Sequence, residues 1–159
     1  MDYTDILIPI RKIVRSINLD SKKIQKECGL SIPQILALTY LNRASNFQCK
    51  QIELRKFLEL NSSTVTGIVK RLEKKGFVAK LPAKDDKRAT QLSLTSSGLD
   101  ILEKAPPLLQ EQLVDKLAAL PADKFKIVQQ GLEILVDALG AGDLDAGPIL
   151  TIPEPSITE

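Results

Sequence analysis

Ser63, Thr66, Gly67, Lys70 and Arg71 fall toward one side of the segment 61–75, Asn-Ser-Ser-Thr-Val-Thr-Gly-Ile-Val-Lys-Arg-Leu-Glu-Lys-Lys. Asn61 is a credible N-cap. Helical spacing then collects Val65, Ile68, Val69 and Leu72 on one apolar stripe. Ser63, Gly67, Lys70 and Lys74 lie opposite it, with Thr66 and Arg71 on the flanks. The chemistry open to such a face is hydrogen bonding and charge pairing. Short hydroxyl side chains near a helix start let the backbone approach a partner closely, and the free N–H groups there attract anions. Lysine and arginine reach phosphate oxygens or guanine edges. B-DNA's major groove, about 12 Å wide, admits one such helix. An ordinary solvated helix face has the same composition, so this segment decides nothing alone.

The next twenty residues narrow the choice. Gly76 is the expected helix stop. Segments 77–81 and 90–94 read as strands, the second with Leu92 and Leu94 alternating with Gln91 and Ser93. The turn between them carries Lys84, Asp86, Lys87 and Arg88. An arginine on a hairpin tip can enter the minor groove, whose narrow stretches carry enhanced negative potential. Asp86, two residues earlier, can brace Arg88 as an ion pair. A short helix, a turn, a polar-faced helix, a glycine stop and a basic hairpin, in that order, suit a grip on two DNA grooves.

Charge distribution agrees. From Lys70 to Arg88 there are eight Lys/Arg against three Asp/Glu, whereas after Lys126 the chain has six acidic residues and no basic one. The overall net charge is only +2. The middle, not the C-terminus, is the part expected to meet a polyanion.

Other chemistries find little support. The chain has no His, which removes the commonest general base and a principal zinc ligand. No glycine-rich phosphate loop or nucleophile elbow occurs. No catalytic residue, metal site or cofactor is expected. Cys28 and Cys49 are too few for a disulfide framework. Each reads as a small core hydrophobe before it reads as a thiol switch. No secretory signal is apparent, and the apolar run 6–10 is far short of the roughly 20 residues of a membrane span. A cytoplasmic location without membrane contact is the expectation.

The remaining elements must position these residues. A first helix is read from Ile10, Ile13, Val14 and Ile17, continuing through Ile24 to Cys28, with Pro9 near its start and Gly29 as its stop. Ser31 and Gln34 form a capping box that opens a second helix with Ile35, Leu38 and Leu41. Residues 43–48 read as a loop. A third helix holds Ile52, Leu54, Phe57 and Leu58, and Glu59-Leu60 is a tight turn. Thr95 opens a helical region broken at Pro106-Pro107. The last helix spaces Phe125, Val128, Leu132, Leu135 and Leu139 three and four apart, as a helix–helix seam requires. The fold class is mainly α with a small β-wing. Its parts are an N-terminal helix over 1–30, a winged helix-turn-helix core over 31–95, C-terminal helices over 96–139, and an extended or disordered tail over 140–159.

With these residues in view, 31–104 resembles the winged helix-turn-helix core of the MarR family of bacterial transcriptional regulators. The resemblance is carried by Gly29-Leu30-Ser31 with Pro33-Gln34, by Ser63-Thr64-Val65-Thr66, and by Arg71-Leu72-Glu73-Lys74-Lys75-Gly76. Asp86-Lys87-Arg88 and Leu94-Thr95 with Gly98 complete it. The flanking helices extend it over about residues 5–139. It implies a homodimer built from the N- and C-terminal helices and bound to double-stranded DNA at a pseudo-palindromic operator. It implies repression relieved by a small-molecule effector or a solution condition. The DNA-contacting set would be Ser62, Ser63, Thr64, Thr66, Gly67, Lys70, Arg71, Lys84, Asp86, Lys87 and Arg88. Two positions depart from the family pattern. Arg55 stands where a small residue is usual, and Glu59 where glycine is frequent. A second resemblance, over 105–111 and 142–150, is to a branch that includes repressors of compatible-solute (ectoine-type) operons. The competing reading, a winged-helix protein-interaction module that leaves DNA alone, draws on the small net charge and on Glu59.

Overall fold

The computed structural model describes residues 3–82, 89–144 and 147. Its helices are α1 (Thr4–Cys28), α2 (Ile32–Arg43), α3 (Gln51–Leu58), α4 (Ser62–Lys74), α5 (Ser96–Lys104), α6 (Leu109–Ala118) and α7 (Ala122–Ala138). Three strands accompany them: β1 (Gln48–Lys50), β2 (Val78–Pro82) and β3 (Thr90–Leu94). The fold is mainly helical with a small antiparallel sheet, as expected. The described chain divides into two compact units, the second being Pro107–Ala146.

Local chemistry sets most element ends. Gly29 stops α1 with φ 64°, where its N–H donates to the Gln25 carbonyl. Ser31 and Gln34 form the expected capping box: the Ser31 N–H donates to Gln34 Oε1 at 2.8 Å, and the Gln34 N–H donates to Ser31 Oγ at 3.4 Å. Thr95 caps α5, accepting from the Gly98 N–H at 3.1 Å and donating to the Gly76 carbonyl at 2.6 Å.

The core of the first unit is aliphatic. Ile24, Leu30, Leu38, Leu41, Leu54, Leu58, Val65, Ile68, Leu72 and Leu92 are buried, drawn from α1 through β3. Each fully buried Leu or Ile contributes roughly 1.5–3 kcal/mol. β3 lies between β1 and β2; Cys49 pairs with Leu92, and Val78 with Leu94.

Three sequence expectations need correction. The stretch 43–48 is no plain loop: a 3-10 turn at Ser45–Phe47 leads into β1, which pairs with β3. Strand β2 is Val78–Pro82 rather than 77–81, because the Phe77 N–H is taken by the Leu72 carbonyl at the end of α4. Pro9 lies inside α1, which begins at Thr4, so the Asp5 carbonyl lacks the donor that a residue with an N–H would supply. Ile52 and Phe57 of α3 are about half exposed; Phe57 stacks on Tyr40 with ring centroids 4.7 Å apart.

Candidate nucleic-acid interface

The recognition candidate, α4, is fixed at both ends. Asn61 Oδ1 accepts from the Thr64 N–H at 2.8 Å and from Ser63 Oγ at 2.7 Å. At the other end Gly76 has φ 76°; its N–H donates to the Glu73 carbonyl, and the Phe77 N–H donates to that of Leu72. This paired closure is a Schellman motif. Lys75 Nζ donates to the Gly29 carbonyl at 2.6 Å, tying the end of α4 to the end of α1. Lys75 is therefore a structural tie. Val65, Ile68, Val69 and Leu72 are buried, so the opposite face must look outward.

That outward face is the one the sequence singled out. Ser62, Ser63, Thr66, Lys70 and Arg71 are exposed, while Thr64 and Gly67 are half-buried. Among the described residues, its chain neighbours and the helix's own backbone aside, no atom would lie within 4 Å of a Cβ added to Gly67, so the surface above it is open. The hydroxyls are not all free to donate. Ser63 gives its proton to Asn61, and Thr66 donates to the Ser62 carbonyl at 2.8 Å. Of the hairpin-tip expectations, Lys84, Asp86, Lys87 and Arg88 lie outside the described residues. The strands that carry the tip are in place, with Pro82 opposite Thr90 at its base.

Beside α4, Lys50 and Gln51 escaped the sequence reading, and Arg55 entered it only as a departure from the family pattern. A cleft of about 230 Å³ runs between the start of α3, the start of α4 and the base of the hairpin, lined among others by Lys50, Gln51, Arg55, Ser62 and Thr90. Lys50 is exposed and Arg55 half-buried, so positive charge extends beyond α4 itself. Gln51 reaches across to donate from Nε2 to Thr66 Oγ1 at 3.0 Å. Recognising that α3 and α4 start side by side was the signal that would have found them.

Glu59 is the discordant residue. It sits at φ 51°, ψ 36°, the left-handed region, and caps α3 exposed to solvent. A side chain there costs roughly 1–2 kcal/mol that glycine avoids, partly offset by glycine's greater unfolded-state entropy. Glu59→Gly is expected to raise stability by about 0.5–1 kcal/mol, read from urea midpoints, and to tighten DNA binding severalfold at low salt. Unchanged or lower values of both would remove strain and repulsion as descriptions of this position.

Of the two thiols, that of Cys49 is a core group. Cys49 is buried in β1, and burial, with a smaller push from the Glu53 carboxylate, raises its pKa to about 12. Cys28 is half-buried, and desolvation raises its pKa too, with Glu27 adding to it. Neither surrounding favours a reactive thiolate.

Residues 30–90 match the model of the MarR family. The chain is 27% identical over 135 residues to the HTH-type transcriptional regulator YfiV of Bacillus subtilis, covering 85% of this chain and 83% of that one. It is 29% identical over 133 residues to the multiple antibiotic resistance protein MarR of Escherichia coli, covering 80% and 91%. Its fold is similar to that of Sco3205, a MarR family transcriptional regulator from Streptomyces coelicolor solved in complex with DNA. That likeness has a TM-score of 0.61 at 21% identity, over 91% of this chain and 94% of the other.

Proposed function

We propose that this chain is a dimeric, sequence-specific repressor of transcription of the MarR type, the family whose model residues 30–90 match. The carrying observation is the exposed polar and cationic face of α4, held rigid by the Asn61 cap, the Gly76 closure and the Lys75 tie. In this reading Ser62, Ser63, Thr64, Thr66, Gly67, Lys70 and Arg71 meet the major groove. Lys84, Asp86, Lys87 and Arg88 form the hairpin grip on the flanking minor groove and phosphates. Helices at the two ends of the chain pair two copies. Two α4 helices then meet half-sites one or more helical turns apart, one turn being about 34–36 Å.

A small ligand or a change in solution condition relieves repression, and genes for compatible solutes are the proposed targets. The protein works in the cytoplasm. Sequencing genomic fragments retained by the purified chain tests the reading. A pseudo-palindromic motif beside a coherent set of genes is the expected result. Retention of a protein partner with no DNA retained at low salt would instead support an interaction module, a reading that exposed Glu59 beside α4 favours.

Arg88→Ala supplies a sharper check on the hairpin. Operator affinity should fall about tenfold or more. The slope of log affinity against log salt should shrink by about two units for the dimer, near one for each lost phosphate contact. Affinity unchanged across salt concentrations would remove Arg88 from the interface.

A further inference from the structure

The Thr66 hydroxyl is committed on two sides. It has one proton and two lone pairs. The proton goes to the Ser62 carbonyl at 2.8 Å, and one lone pair takes the Gln51 Nε2 donor at 3.0 Å. Because the hydroxyl proton is already used, the amide of Gln51 must offer its NH2 group. Gln51 comes from the start of α3, fifteen residues earlier in the chain. We propose that Gln51 is a positioning residue that holds Thr66 as an acceptor-only reader, so that Thr66 selects against guanine at the base it faces.

The groove edges supply the chemistry. Guanine shows only acceptors in the major groove, N7 and O6. A hydroxyl with no proton to give has nothing for them. Adenine and cytosine show an amino donor, and thymine a methyl group. The remaining lone pair of Thr66 serves the amino groups, and its own methyl serves thymine. Without the Gln51 donor only the Ser62 bond pins the Thr66 rotamer, so the side chain can turn about χ1, leave the Ser62 carbonyl and donate to a base, which admits guanine. This role rests on α4 being the base-reading helix.

Selection from a random duplex library by the full-length chain tests it, using wild type, Gln51→Met, Thr66→Val and the double variant. Methionine keeps the length of glutamine and removes the donor; Gln51→Leu, which can neither donate nor accept and adds no charge, is the second probe. Wild type should yield a two-fold symmetric motif with one symmetry-related pair of positions depleted in guanine by about tenfold. Gln51→Met and Gln51→Leu should each reduce that depletion to less than about threefold, with the other positions unchanged. Thr66→Val keeps the methyl and should keep the depletion, and adding Gln51→Met to it should change nothing. Two results overturn the proposal: an unaltered base preference in both Gln51 variants, or a shift of equal size with and without the Thr66 hydroxyl. If wild type selects no motif, the base-reading role of α4 falls and this role with it, an outcome distinct from the other two.

Discussion

Leu132→Asp is expected to convert the protein to a monomer and to lower operator affinity by about 100-fold or more. Helix α7 and its C-cap Leu139 carry Phe125, Val128, Leu132 and Leu139 between 40% and 71% exposed, although their spacing is that of a packed seam. On α1, Ile6, Leu7, Ile13 and Val14 are likewise about half exposed. So much apolar surface on regular helix faces fits the pairing of copies proposed above. A carboxylate in the middle of the α7 seam would be desolvated in each copy without a partner, a cost of several kcal/mol. Once the copies separate, the second half-site no longer benefits from the effective concentration that linkage provides, commonly 10²–10⁴ in avidity. Sedimentation and operator titration read the two effects together. Gln130→Asp, on another face of α7, should leave both unchanged. A Leu132→Asp protein that still sediments as a dimer would show that the seam is not where copies meet.

Gly98→Ala should cost about 3 kcal/mol, lowering the melting temperature by roughly 10 °C. A Cβ built at Gly98 falls 2.2 Å from the Phe77 carbonyl oxygen and 2.8 Å from Leu94 Cδ1. The leucine can turn aside, but the carbonyl is held. It accepts the Thr95 N–H at 3.1 Å, while the Phe77 N–H is bound to the Leu72 carbonyl at 2.9 Å. Relief therefore requires shifting the end of α4 or the start of α5, both of which brace the hairpin strands. Thermal melts with operator binding measured well below the transition separate a folding defect from a binding defect. A variant melting within about 2 °C of wild type would mean that α5 has room to slide.

Much of this architecture was legible because it is local. The Ser31–Gln34 capping box, the Asn61 cap, the Gly76 stop and the Thr95 cap each involve groups a few residues apart, and each formed as read. The buried stripe of α4 followed from helical spacing alone. Strand β1 was not legible. Three residues are too few to show alternation, and Gln48–Lys50 becomes a strand only because β3 offers it a partner. Nor was the stacking of Phe57 on Tyr40 legible, since aromaticity and spacing do not say which ring comes to lie beside it.

The same division runs through the candidate interface. Sequence by itself determined which side chains share the outward face of α4, because the helical repeat and the apolar stripe leave Ser63, Thr66, Gly67 and Lys70 no other side. Only the tertiary structure decided what those side chains have left to offer. Packing of α3 beside α4 brings the Gln51 amide to the Thr66 hydroxyl, and the Ser62 carbonyl takes its proton. A residue's type fixes its donors and acceptors; its neighbours in space fix how many remain for a partner.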